Sequence, residues 1–174
     1  SPIDIYSAYL VAAPTKGCWS PQYTVGLRKQ FLDLEVNDIR ESTGVRTVRY
    51  DKPMFVVQLN NSFRFKKSWQ LSADYQFQSK MSYGAAEVTA NVNLLELSAQ
   101  KSFLKDDALT VRLSAYDVLN CTPDNVIVDY GQFKIAQNSD YKSPAIILRV
   151  SYHFNTASNK YKGTGAGDSV KNRF

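Results

Sequence analysis

The sequence predicts an all-β chain, an antiparallel up-and-down meander of about seven or eight strands. Three observations predict it. Apolar and polar residues alternate with a period of two in segment after segment, as they do when successive side chains point to opposite faces of a strand. Tyr (11) and Phe (9) raise the aromatic content to 13%, which suits pleated structure. Short and long connections alternate along the chain, so hairpin turns gather at one end of the sheet and larger loops at the other.

Taken in order, Ile3, Ile5 and Val11 hint at a short first strand, and Pro14, Thr15, Lys16 and Gly17 then form a turn. Tyr23, Val25, Leu27 and Phe31 alternate with Gln22, Thr24, Gly26, Arg28 and Gln30, a strand with one polar face. Residues 33–50 hold only ragged apolar pieces around Ser42, Thr43 and Gly44, and read as weak β-structure or a long rim excursion. In residues 54–65, Phe55, Val57, Leu59, Phe63 and Phe65 oppose Gln58, Asn60, Ser62 and Arg64; in residues 69–78, Trp69, Leu71, Ala73, Tyr75 and Phe77 oppose Gln70, Ser72, Asp74, Gln76 and Gln78. The link at 66–68 makes these two a hairpin. After a loop at 80–86, residues 88–103 read as one long strand with Leu95, Leu97 and Ala99 opposite Glu96, Ser98 and Gln100. A tight turn at 104–107 leads to Leu109, Val111, Leu113 and Ala115, alternating with Thr110, Arg112, Ser114 and Tyr116. The stretch 121–142 could extend neighbouring strands. Residues 143–154 close the pattern, with Ile146, Leu148, Val150, Tyr152 and Phe154 on one face and Ala145, Ile147, Arg149, Ser151 and His153 on the other. Residues 155–174 are Asn, Lys, Gly and Ser rich and read as a polar C-terminal tail.

Such alternation fits a soluble sheet as well as a membrane wall. The connections favour the wall: those at 66–68 and 104–107 are short and those at 79–87 and 120–143 are long, the asymmetry of an outer-membrane barrel with tight periplasmic turns and longer extracellular loops. A mean hydropathy of -0.33 and the absence of any run of about 18 apolar residues argue against membrane helices, but do not bear on a barrel, whose strands hide half-apolar alternation. The chain opens at Ser1-Pro2 without an initiator Met or an apolar leader, so either a signal has been removed or an N-terminal part lies upstream.

Other chemistry is thinly supported. A formal charge of +5 with Lys and Arg spread along the chain, and no recognition motif, gives no expectation of nucleic acid. Cys18 and Cys121 have no metal-ligand spacing; a disulfide is open to them, but free thiols are the simpler reading. Gly163, Gly165 and Gly167 form a GxGxG without strand or helix context, and His153 has no ligand-spaced companion. With no nucleophile elbow or metal spacing, neither an enzyme nor a cofactor is expected.

Particular sequences carry a resemblance. Gly26-Leu27-Arg28-Lys29-Gln30-Phe31-Leu32 and Ser98-Ala99-Gln100-Lys101-Ser102-Phe103-Leu104 both end in Lys-x-Phe-Leu before a turn, each finishing a strand that runs the same way. With Asp117-Val118-Leu119-Asn120, Ser151-Tyr152-His153-Phe154-Asn155 and Lys160-Tyr161-Lys162-Gly163, the chain resembles the C-terminal β-barrel portion of Bacteroidetes TonB-dependent outer-membrane receptors. The resemblance implies that residues 1–154 are the C-terminal segment of a transmembrane β-barrel of about 22 strands, with a plug domain, the remaining strands and the TonB-contacting segment outside this chain. It implies a bacterial outer-membrane location, outer-membrane lipid as a neighbour and a periplasmic C-terminus. A small free-standing outer-membrane barrel of about eight strands, or a soluble β-barrel binding a small apolar ligand, stays open.

In the barrel reading Arg28, Arg64, Asp74, Glu96, Arg112 and Arg149 face the lumen, where they line a path for an anionic ligand, grip an acidic plug surface or, more plainly, pair with one another and with water. Phe31, Trp69, Phe103, Tyr152 and Phe154 are read as membrane-interface aromatics near the short-turn end. Phe154 also resembles the terminal aromatic by which barrel assembly recognises its clients.

Overall fold

The computed structural model describes residues 2–65, 68–104, 107–139 and 143–154. They form β1 (Asp4–Ala12), β2 (Trp19–Asn37), β3 (Val45–Tyr50), β4 (Met54–Phe65), β5 (Trp69–Gln78), β6 (Met81–Tyr83), β7 (Ala86–Val88), β8 (Val92–Phe103), β9 (Leu109–Tyr116), β10 (Asp124–Asp129), β11 (Lys134–Ser139) and β12 (Ala145–Tyr152). Among the described residues there is no α-helix. The main sheet runs β1-β2-β4-β5-β8-β9-β12, with β3 paired to the upper part of β2; a second sheet runs β11-β10-β7-β6. Every pairing is antiparallel.

The register turns the sequence alternation into two continuous faces. On one, Phe63, Leu71, Ala99, Leu113 and Leu148 stand side by side across β4, β5, β8, β9 and β12. Cross-strand apolar pairs of this kind are the units that hold a sheet together. Among the described residues nothing covers this face: Leu71 is 39% exposed, Leu113 50% and Leu148 65%. An uncovered apolar surface of this extent marks contact with lipid or a partner. From Phe55 to Phe65 β4 rises about 34 Å, and a barrel tilt of about 40° reduces that to about 26 Å, close to the roughly 25 Å apolar band of an outer-membrane barrel.

The connections sort by end. Links 13–18, 66–68 and 104–108 meet at one end; 38–53, 79–91 and 117–144 meet at the other, where they carry β3, β6–β7 and β10–β11. Here lie the buried apolar side chains found among the described residues, Leu32, Tyr50 and Val56, together with buried Gln30, Asp38, Ser82 and Asp117. The chain therefore keeps its buried core beneath its long loops, while the sheet itself leaves its apolar face outward. Lower on β2, Gly26 lies under the Tyr9 ring of β1, the residue it pairs with, where a β-carbon would collide with that ring.

Several expectations need correction. The segment 88–103 is two strands, because β7 belongs to the second sheet and the chain breaks at 89–91 before β8. Of residues 121–139, Cys121 alone bridges the main sheet, at Asn93 of β8; β10 and β11 pair with each other, and β10 pairs with β7. The loop at 80–86 contains β6 and the start of β7; the main sheet holds the expected eight strands, β3 included, and among the described residues four short strands form the second sheet. β2 continues to Asn37, so Phe31 lies within it and no turn follows. β2 rises from the short-turn end, whereas β8 descends to it, so the two Lys-x-Phe-Leu sequences run in opposite directions. Phe31 consequently sits at the long-loop end. The polar tail at 155–174 lies outside the described residues.

Candidate functional site

Two regions gather polar chemistry: the polar face of the main sheet and the cap of long loops. On the polar face the register arranges side chains in rungs. Ser20, Ser62, Ser72, Ser98 and Ser114 stand next to one another across β2, β4, β5, β8 and β9. One step toward the long-loop end, Gln22, Asn60, Asp74 and Glu96 form an acidic and amide rung. One step toward the short-turn end, Arg64, Gln70, Gln100, Arg112 and Arg149 form a basic one. Successive rungs are about 7 Å apart along the strands.

Of the charged residues singled out from the sequence, the structure therefore brings Arg64, Arg112 and Arg149 into one rung and Asp74 with Glu96 into another. Arg28 stands apart, near the cap, with its guanidinium 5.7 Å from the centre of the Tyr83 ring. The expectation that these charges pair with one another is not met: among the described residues none of the six has an ion-pair partner within 4.0 Å. Like charges even sit directly opposite each other, Asp74 beside Glu96 and Arg112 beside Arg149, an arrangement that costs stability unless something neutralises it. Between them lies a cavity of about 220 Å³ lined by Ser72, Asp74, Glu96, Ser98, Arg112 and Arg149 among others. Arg112 Nη2 donates to Ser98 Oγ at 3.1 Å, and the Ser72 and Ser98 hydroxyls lie 2.6 Å apart, so the floor of the cavity fixes one arginine.

The cap was missed by sequence reasoning. Asp38, 2% exposed, takes a two-pronged interaction from Arg40, Nε to Oδ1 at 2.8 Å and Nη2 to Oδ2 at 2.6 Å. Arg40 Nη2 also donates to the Gly131 carbonyl at 2.8 Å. Arg46 on β3 bridges Asp38 (3.2 Å) and Asp129 (2.8 Å) at the end of β10, and Lys134 reaches Asp129 at 3.2 Å. The Asp129 amide donates to the Tyr50 hydroxyl at 3.3 Å. The β6–β7 turn joins through Gln30, which donates to the Gly84 carbonyl at 2.8 Å and accepts from the Gly84 amide at 3.0 Å. All three long connections are thus tied to the top of β2 and β3.

The charges there are strongly biased. The hydrogen bonds from Arg40, with a smaller one from Arg46, hold the Asp38 carboxyl well below the usual carboxylate range against its partial desolvation. For Asp129, burial pushes up, but Arg46, the Gly131 amide and Lys134 outweigh it and bring it to about 2. Asp117, wholly buried, is likewise pushed up by burial and brought below its ordinary value by Ser143, by Thr122 at 2.8 Å and by the amides of Cys121 and Asn120. No sequence signal announces this network, because its partners lie as far apart as residues 46 and 129 and meet only after three loops have packed.

Of the predicted aromatics, Trp69, Phe103, Tyr152 and Phe154 lie at the short-turn end and Phe31 does not. Lys101 on β8 stands over two of them, its Nζ 5.0 Å from the Trp69 ring centre and 4.8 Å from that of Phe103. Trp19, Phe63 and Phe65 join them in a stacked series. Cys18 and Cys121 are free and lie at opposite ends of the sheet, beside Arg64 and Asn93. The positions level with them on β5, Gln70 and Phe77, are about 24 Å apart, far beyond the span of a disulfide.

No curated protein and no solved structure matches this chain. Residues 14–152, most of the main sheet and all of the cap, match the model of the outer membrane protein beta-barrel family. An amphipathic sheet with tight turns at one end and long loops at the other is the architecture that name describes, and the chain belongs to the outer membrane protein beta-barrel family.

Proposed function

We propose that the chain is a wall segment of a TonB-dependent outer-membrane receptor that takes up a nutrient. The observation that carries this reading is that the main sheet ends on two strands paired on one side only, β1 and β12. In lipid, every unpaired backbone N–H and C=O on such an edge costs several kcal/mol. Further strands therefore complete the wall, as in a barrel of about 22 strands rather than one closed by these. The polar face lines the lumen and the cap faces the exterior. β12 descends to the short-turn end, which supports the reading of a periplasmic C-terminus. The coupling to TonB, the plug and the Bacteroidetes origin rest on the resemblance of the sequence motifs. The role is passage, not catalysis, and the loops and contacts with the plug contribute to specificity.

The test is made on the full-length gene product purified in detergent. It should shift its gel mobility on boiling, as closed barrels do, and bind the purified periplasmic domain of TonB. Absence of TonB binding by a protein that does shift would remove the transport assignment. A comparable shift by residues 1–174 alone would favour a small self-closing barrel.

A further inference from the structure

We propose that the cavity between the acidic and basic rungs binds a short zwitterionic peptide, its ammonium against Asp74 and Glu96 and its carboxylate against Arg112 and Arg149. This rests on the reading of the polar face as a lumen, and names a substrate class for it. Two carboxylates face each other on β5 and β8, and two guanidinium groups face each other on β9 and β12; among the described residues none has an ionic partner. Both pairs line one cavity of about 220 Å³. A simple anion seated there meets the repulsion of Asp74 and Glu96, and a simple cation that of Arg112 and Arg149. Only a ligand with opposite charges at separated ends satisfies both.

The separation fits a peptide of two or three residues. The rungs lie about 14 Å apart along the strands, a gap that the long side chains shorten from both sides. An extended di- or tripeptide spans about 7 to 11 Å. The serine rung between them bears only short side chains, which leaves a trough, and its hydroxyls are suited to a peptide's backbone amides and carbonyls. Arg112 is already oriented by Ser98, and two adjacent guanidinium groups suit the two oxygens of a terminal carboxylate.

Calorimetry on the full-length protein in detergent tests this with tri-alanine, N-acetyl-tri-alanine and tri-alanine amide. Tri-alanine should bind, and blocking either end should weaken binding by about tenfold or more, the loss of a charge-assisted contact. The double variant Asp74→Asn with Glu96→Gln should abolish the effect of N-acetylation alone, and Arg112→Gln with Arg149→Gln the effect of amidation alone. The proposal fails if tri-alanine does not bind a protein that retains its boiling-dependent mobility shift, or if blocked and free peptides bind alike. It also fails if either double variant loses the shift and becomes protease-sensitive, because the charges would then be neutralised by another segment of the protein. TonB binding is read separately: peptide binding without TonB binding leaves the site standing and removes the transport reading, and the converse outcome does the reverse.

Discussion

At the scale of single residues, Gly131 is where one added methyl group should be felt most. Its φ of +85° is a conformation that side chains avoid, and a β-carbon there would run into the Asn37 carbonyl at the top of β2. Gly131→Ala should loosen the cap by about 1–3 kcal/mol, seen as faster amide exchange in residues 124–139 with exchange in β4 and β5 unchanged. Asp38 and Asp129 make the same cap sensitive to acid. Both have folded-state pKa values below the ordinary 3.8, so the unfolded loops bind protons more readily than the packed ones. Their contribution is complete above about pH 5 and is lost as the pH falls toward 2. Proteolysis by an acid-stable protease should therefore begin in the long loops across that window. Arg46→Gln should move the onset to higher pH, because Asp129 loses its largest ionic support and Asp38 one of its two.

At the scale of elements, the outward face and the polar face of a strand should respond oppositely to charge. Leu97→Arg, near the middle of β8 on the apolar face, should cost about 2–4 kcal/mol of folding into lipid vesicles, whereas Thr24→Arg on the polar face of β2 should cost far less. Equal losses at the two positions would argue against lipid contact on the Leu97 side. The faces themselves were legible from the sequence: β4, β5, β9 and β12 carry the alternation, broken in β4 by Asn61 on the apolar face and in β12 by Ile147 on the polar one, and the register kept the alternating residues on the expected sides. β6, β7, β10 and β11 were not legible, because segments of three to six residues have too few positions to display a period and are held by distant partners such as Gln30, Arg46 and Tyr50. Phe31 was misplaced for a related reason. A Lys-x-Phe-Leu sequence carries no information on the direction of its strand, and β2 runs on past its apolar pattern to pair with β3. Of the candidate site, the charged residues were visible individually; the rungs were not, since which serine stands beside which arginine depends on register across five strands.

At the scale of the molecule, the two cysteines report orientation. Cys18 lies at the short-turn end and Cys121 at the long-loop end. On intact cells a membrane-impermeant maleimide should label Cys121 alone, and Cys18 should become reactive only after the outer membrane is breached. Labelling in the reverse order would invert the proposed topology. The unpaired outer sides of β1 and β12 bear on how such a molecule can be made. Each presents a row of backbone groups that water can satisfy and hydrocarbon cannot. The sheet cannot therefore enter the bilayer strand by strand and wait there for its neighbours. In the proposed wall these strands either remain in an aqueous or chaperoned setting until adjoining strands arrive, or are inserted against a temporary edge supplied by another protein.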